Sequence, residues 1–599
     1  MNAHRFFASC MVAALAAAPL AGSAATARLP HDLTFPVSRA ASVARGSLRT
    51  NIATQSDVGS ANTATADPPV ARPNEAPCVD VLFTNFIFEN FSGNLFDYAP
   101  PAGCPGPYAK IVFNGNFAVS AGIQFDRTAS VQIGNVPLYF GTTVEPNTTL
   151  APSWHVERDV TDDAALLAVK QSGEADIFNL VNSQFTGVIT GTAFLQFYPA
   201  RGSFLAAATP DIVLPLPRTT PGGPQHLPTG ASLLTAIYKL PPNVDRAYLD
   251  VYAQSQQEDE QWFLCAPSDV ASELFACPNS ALRETEITID GRPAGVAPVY
   301  PWIFTGGLDP FLWAPIPGVQ TLDFVPFRVD LTPFAALLDD GKAHTFAMSV
   351  DNADQYFQGF ATLLAFRDRG SRLVTGGLTR DTLAAAPVAD ISENLAGTSP
   401  SIDGTIDLTS ARSYDIDGFV NTSKGRVVTS LHSELDFGNH QVYSNESATT
   451  GTLKVLQSTV DDTIVTTAGG PLAGQVQRAF SYPLAVKLDV VLDDTGTGTQ
   501  VGTIDQRFFE ATFATGANGP FQSFVENEVA PTDTLDILDD EFITGNSNQS
   551  STQRYVSFDT QGGCYTQTVK AANNLVSSVT PPTCDRSAIA RAFASMMGR

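Results

Sequence analysis

Apolar and polar residues alternate in short runs along most of the chain, as in Lys110-Ile-Val-Phe113, Val131-Gln-Ile133 and Thr192-Ala-Phe-Leu-Gln-Phe-Tyr198, with Gly, Asn and Pro between the runs. A period of two broken by such turns predicts antiparallel strands, and their density from Val79 onward predicts β sandwiches. Two stretches depart from the pattern. Residues from about Ala25 to Pro77 are rich in Ala, Ser, Thr, Asn and Pro without sustained periodicity, so 26–77 reads as a linker or pro-segment. After Cys584, residues Ile589, Phe593, Met596 and Met597 share one face of a short helix that docks on a neighbour.

The pattern also repeats. Asp159-Val-Thr-Asp-Asp-Ala-Ala-Leu-Leu167 recurs as Asp330-Leu-Thr-Pro-Phe-Ala-Ala-Leu-Leu338, each predicting a short helix with Thr161 or Thr332 as its N-cap. Arg127-x-x-x-Val131-Gln-Ile-Gly-Asn-Val-Pro137 matches Arg283-x-x-x-Ile287-Thr-Ile-Asp-Gly-Arg-Pro293, and Gly141-Thr-Thr-Val-Glu-Pro146 answers Thr305-Gly-Gly-Leu-Asp-Pro310. Ala193-Phe-Leu-Gln-Phe197 answers Thr362-Leu-Leu-Ala-Phe366. These matches keep their order, which predicts two tandem jelly-roll-like β sandwiches, 78–218 and 226–390. Residues 391–599 read as a further C-terminal β domain with the terminal helix, so the whole chain is expected to be all-β. At 599 residues the chain suits roughly three or four domains.

The repeat isolates an insertion. The second copy has a long connection from the Tyr248–Tyr252 strand to Arg283, holding Glu258, Asp259, Glu260 and Trp262 beside Cys265 and Cys277. Crowded carboxylates resist ionising together, so one of them is expected to keep its proton to high pH, as acid/base chemistry needs; an indole close by suits a sugar face.

Residues 1–25 have the form of an export signal, with His4 and Arg5 ahead of an apolar run from Met11 to Leu20 and small residues after it. The run is too short to span a bilayer, so the mature chain is expected to be secreted, extracellular or periplasmic, with no membrane span. Cys10 goes with the signal, and the other six cysteines fall into local pairs, Cys78–Cys104, Cys265–Cys277 and Cys564–Cys584. That leaves no thiol for a nucleophile.

A net charge of −26 repels phosphate backbones, which argues against nucleic acid as a partner. The chain has no His-Glu-x-x-His, Gly-x-Ser-x-Gly, Gly-x-Gly-x-x-Gly or phosphate loop, and its seven histidines are scattered. Neither a metal nor a cofactor is called for, and carboxylates and aromatics remain. Trp154 and Glu157 have no counterpart in the repeat, which favours a role in the site. Asp159 has one in Asp330, so a carboxylate at a helix start is its simpler reading. Asp126 beside Arg127 and Glu284 beside Arg283 read as local ion pairs supporting loops.

Over residues 108–370 the chain resembles the plant-type peptide N-glycosidase A family, the peptide-N4-(N-acetyl-β-glucosaminyl)asparagine amidases. The resemblance rests on Asp259-Glu-Gln-Trp262, departing from the family's pattern at Gln261, on Asp126-Arg127, Thr143-Val-Glu-Pro146, Trp154 with Arg158-Asp-Val-Thr161, Arg283-Glu284, Asp290-Gly291, Phe304-Thr-Gly-Gly307 and Asp211-Ile-Val-Leu-Pro215. It implies hydrolysis of the amide joining an N-glycan to asparagine in a glycopeptide or denatured glycoprotein. Carboxylates alone can drive that reaction: Glu260 and Glu145 are expected to be the acid/base pair, with Asp259 keeping one of them protonated. Trp262 and Trp154 are expected to carry the first sugar, with Trp302, Trp313, Glu157, Arg283, Arg127 and Asp159 as further substrate-binding candidates. An endoglycosidase using the same carboxylates and a non-catalytic lectin or adhesin are the alternatives.

Overall fold

The computed structural model describes residues 51–597 apart from 203, 217–222, 448, 517–518 and 540–541. Residues 1–25, which read as an export signal, lie outside the described residues. The chain is all-β, and its strands form where the alternation predicts them. In Ser401–Thr422, for example, Ile402, Ile406 and Leu408 are buried while Asp403, Asp407 and Thr409 on the other face are exposed.

In the first sandwich, the strands Cys78–Phe88, Ile189–Pro199, Tyr108–Val119 and Ser153–Asp159 form one sheet in that order. Asn94–Tyr98, Gln171–Ile177, Thr128–Ile133 and Val136–Thr142 form the other. In the second sandwich, one sheet runs Gln225–Thr229, Asp354–Arg367, Val244–Gln256, Phe327–Asp330, and the other runs Leu234–Tyr238, His344–Val350, Glu284–Ile289, Arg292–Pro298. Counting strands along the chain within each half, both halves have first-eighth-third-sixth in one sheet and second-seventh-fourth-fifth in the other. Two halves wound the same way are what duplication of a jelly roll produces. Ile212–Leu216 leaves the first half and pairs with Asp354–Arg367 of the second.

The repeated helix differs from expectation in its start. It is a 3-10 helix, Thr161–Ala168, in the first half, and a 3-10 turn, Thr332–Phe334, leading into α-helix Ala335–Leu338 in the second. Neither Thr161 nor Thr332 is the N-cap. Each is the first helical residue, and its backbone N–H donates to the carboxylate two residues earlier, Asp159 at 3.1 Å and Asp330 at 2.8 Å. The aspartate, with its full charge, is the stronger acceptor for these free N–H groups.

Residues 375–579 build one twelve-stranded antiparallel sheet whose strands reach 22 residues. Its apolar face continues the core of the second sandwich: Phe437 meets Trp262, Phe480 meets Phe327, and Tyr482 and Phe508 meet Tyr300. The first sandwich keeps a core of its own. The helix Arg586–Met597 sets Ile589 and Phe593 against Phe509 and Phe524 of the long sheet. Disulfides join Cys78 to Cys104, Cys265 to Cys277 and Cys564 to Cys584.

The segment before Cys78 is docked from Asn51 onward. Gln567 Nε2 donates to the Ala53 carbonyl, Gln553 Oε1 accepts from the Ala66 N–H, and Asn51 exchanges hydrogen bonds with the backbone of His155. This strap ties the first sandwich to the C-terminal sheet, so the described part of the predicted linker is an integral layer of the fold.

Candidate active site

The strand Val244–Gln256 ends where Gln257 takes a left-handed conformation, φ 53°, and the chain folds into the 3-10 turn Gln257–Asp259. The turn sends the two adjacent acids in opposite directions. Asp259 enters the interior, whereas Glu260, tied by its N–H to Gln257 and by its carbonyl to the Ser255 hydroxyl, stays partly exposed. Glu145 reaches the same place from the first sandwich, after the strand Val136–Thr142. Glu260 and Glu145 thus meet where the two sandwiches join, and Asp126 completes the group.

Each of these carboxylates is set among protein atoms yet keeps some exposure to solvent. Burial raises Glu260 to about 8, and the charges of Asp126 and Glu145 add to the rise. Burial also raises Glu145 to about 8, reinforced by Asp126; the Asp126 N–H, at 3.0 Å from Glu145 Oε1, works against that rise. Asp126 is raised by burial too, but the Gly306 N–H donates to its Oδ2 at 3.1 Å and the Arg127 charge stands beside it. Asp126 is therefore the member of the trio best supported as an anion, and Glu260 and Glu145 are held as acids.

A side chain at Gly306 would displace the Glu145 carboxyl. A Cβ there would come within 2.4 Å of Glu145 Oε1 and 3.4 Å of Asp126 Oδ1. The turn carrying Gly306 is anchored to the first sandwich by Thr305 Oγ1, which donates to the Thr143 carbonyl at 2.8 Å. Arg127 is held by Gln124 Oε1 and lies over the rings of Phe125 and Phe185 at 5.8 and 5.7 Å. Tyr356 lies near enough to Glu260 to feel its charge; burial and that carboxylate raise its phenol to about 12, and its ring meets the exposed imidazole of His226 at 4.0 Å.

Several sequence candidates are placed elsewhere. Asp259 is sealed in a pair with Arg283, whose Nε and Nη2 donate to its Oδ1 at 2.9 and 2.8 Å. The charges acting on Glu260 are those of Asp126 and Glu145, so Asp126 fills the part expected of Asp259. The four tryptophans, Trp154, Trp262, Trp302 and Trp313, are between 0% and 4% exposed and present no open face to a sugar. Trp262 packs between Phe263 and Phe437, Trp154 stacks on Phe117, Trp302 meets Phe324, and Trp313 Nε1 donates to the Gly307 carbonyl.

Glu157 receives Arg72 and the Val70 N–H from the strap, with His155 on its other oxygen. Burial alone would raise Glu157, but His155 and Arg72 hold it down at about 2, so it is a structural anion. Asp159 pairs with Lys110 and caps the Thr161 turn. Asp159→Asn is expected to lower stability by about 0.3–1 kcal/mol through that helix start and to leave turnover unchanged, as a thermal melt beside a rate measurement will show.

The chain is similar to known proteins in this region. A family model described as peptide N-acetyl-β-D-glucosaminyl asparaginase amidase A matches residues 68–366. Peptide-N4-(N-acetyl-β-glucosaminyl)asparagine amidase A of Prunus dulcis is 25% identical over 528 residues, covering 84% of this chain and 90% of that protein. Among solved structures, PNGase F, a glycosylasparaginase from Flavobacterium meningosepticum, matches 49% of this chain and 96% of its own at 14% identity and a TM-score of 0.33. PNGF-II matches 49% of this chain and 66% of its own at 13% identity and a TM-score of 0.35.

Proposed function

Because the chain belongs to the peptide N-acetyl-β-D-glucosaminyl asparaginase amidase A family, we propose that it hydrolyses the amide between an N-glycan and its asparagine with three carboxylates, Asp126, Glu145 and Glu260. The observation that carries this reading is their convergence at the seam of the sandwiches, graded in support for an anion: Asp126 has the N–H groups of the neighbouring turn and the Arg127 charge, Glu145 has one N–H and the pull of Arg127, and on Glu260 burial and the two acids all act to keep the proton. Asp126 takes a proton from water as the water oxygen attacks the amide carbonyl carbon. Glu260 gives its proton to the nitrogen as the C–N bond breaks. Glu145, protonated and anchored by the Asp126 N–H, is placed to donate to the carbonyl oxygen while charge develops there. The products are a glycosylamine and a peptide in which Asn has become Asp. Phe125, partly exposed next to Asp126, and the exposed imidazole of His226, which rests on the buried ring of Tyr356, supply the flat surfaces that the buried tryptophans do not.

Among the described residues no helix is long and apolar enough to cross a membrane. The three disulfides support an extracellular setting.

One incubation with a glycopeptide, followed by mass measurement of both products, tests the function. Release of the intact glycan with conversion of Asn to Asp is expected. A peptide that keeps one N-acetylglucosamine means cleavage between sugars, and an unchanged glycopeptide that stays bound means a lectin. The pH profile tests the assignment of roles. Turnover requires Asp126 ionised and Glu260 protonated, so it falls as pH rises through about 8, where Glu260 loses its proton, and falls again in acid as Asp126 gains one. The rate should survive chelators, since carboxylates carry every proton; loss in chelator with recovery on adding a divalent ion would refute the scheme.

A further inference from the structure

The turn that carries Gly306 is gripped on its far side by the C-terminal sheet. Gln500 Nε2 of that sheet donates to the Leu308 carbonyl at 3.1 Å, while from within the turn's own loop Trp313 Nε1 donates to the Gly307 carbonyl at 2.8 Å. The strongest contact is of an unusual kind. Asp309 comes within hydrogen-bonding reach of Asp533 on the strand Phe521–Leu538. Both residues are 1% exposed, and the Oδ2 of each meets no hydrogen-bond donor among the described residues.

The partners of the pair are neutral. Asp309 Oδ1 accepts from the Phe311 N–H at 2.8 Å, and Asp533 Oδ1 accepts from Asn546 Nδ2 at 2.9 Å. Gly502 lies opposite Asp533 on the strand Gly498–Gly516, and the other charge bearing on Asp533 is that of Asp536, a further anion. Asp533 sits where the ladder to Phe542–Asp559 slips register between Thr532 and Thr534, an irregularity that re-aims a side chain. Leu308, just before Asp309, is left-handed at φ 65°. Two buried carboxyls in contact cannot both be anions, so one proton between them turns repulsion into a charge-assisted hydrogen bond.

We propose that Asp309 and Asp533 share a proton and thereby latch residues 304–309 to the C-terminal sheet, which makes that sheet the backstop holding the Gly306 N–H on Asp126. Asp309 and Asp533 are positioning residues, and the proposal rests on the amidase reading for its effect on rate but not for the latch itself. Asp309 aligns with Glu145 in the internal repeat. In one copy this carboxyl belongs to the catalytic trio; in the other it supports the trio from behind.

The test compares Asp533→Ala with Asp533→Asn, reading amide hydrogen exchange of the peptide spanning residues 303–313 together with kcat and KM. An asparagine keeps the hydrogen bond to Asp309 without needing a proton. Burial and Asp533 raise Asp309 to about 8, so exchange in the wild type, corrected for the intrinsic rate, should accelerate as pH rises through that value. In Asp533→Ala the turn should exchange fast at every pH, and kcat should fall about 10- to 100-fold with KM little changed, the scale of a misplaced catalytic group. In Asp533→Asn exchange should stay slow across the range and kcat should remain near wild type in acid. Slow, pH-independent exchange in the wild type, or an Asn variant as impaired as the Ala variant, overturns the proposal. If the wild type releases no glycan, the amidase reading fails while the exchange comparison still decides the latch.

Discussion

Asp126→Asn and Glu260→Gln should each lose about 100- to 10,000-fold in turnover while the protein stays folded, because general acid/base groups contribute on that scale and each amide keeps the shape of the carboxyl. Glu145→Gln should lose less, since an amide can still donate a hydrogen bond to the carbonyl oxygen. The double variant Asp126→Asn with Glu260→Gln should be far from the product of the single losses, as groups acting on one transition state are not additive. The charge coupling adds a sharper test. The Asp126 charge helps raise both Glu260 and Glu145, so neutralising it lowers both, and the alkaline fall of the residual activity should move to lower pH. Should Asp126→Asn keep nearly full turnover with an unmoved pH profile, Asp126 is only the ion-pair partner of Arg127.

That alternative is the reading adjacency in the chain suggests, and the reason it misleads is physical. Next to Arg127, Asp126 resembles half of a surface pair, but the guanidinium is bonded to Gln124 and lies over two phenylalanine rings. The Asp126 carboxylate instead turns to Gly306, 180 residues further on, and a contact so distant leaves no local mark. Glu260 was readable because it stands in an insertion that the repeat isolates, whereas Glu145 has a counterpart in Asp309 and was readable through the resemblance carried by Thr143-Val-Glu-Pro146. Trp262 misled for the opposite reason: an aromatic beside acids resembles a sugar platform, but the alternation of a tight turn sends it into the core. The strap was invisible as structure because it docks through polar contacts, such as Gln553 with Ala66, and through a few buried apolar residues, Ala53, Ala64, Ala66 and Val70, too sparse to set a hydrophobic period. The jelly rolls were legible because sandwich strands bury alternate residues and the chain repeats the order twice.

Arg283→Met should destabilise the protein by about 3–5 kcal/mol, the scale for stranding one member of a buried ion pair. Arg283 and Asp259 side chains are both 0% exposed, and the guanidinium also donates to the Asn279, Ser280 and Leu282 carbonyls. It thereby closes the loop that begins at Gln257 onto the segment entering the strand Glu284–Ile289. The other Asp259 oxygen accepts the Asp354 N–H at 2.7 Å, which pins the loop to the strand Asp354–Arg367. Burial raises Asp259 to about 6 even against the Arg283 charge, and without that charge the carboxyl must take up a proton or draw in water. Urea unfolding near neutral pH measures the loss. Because Asp259 lies outside the charges that act on Glu260, the pH limits of turnover in the folded fraction should stay where they are in the wild type. An Arg283→Met protein of unchanged stability whose alkaline limit moves would mean that Asp259 tunes Glu260 after all, and that the pair belongs to the chemistry and not to the scaffold.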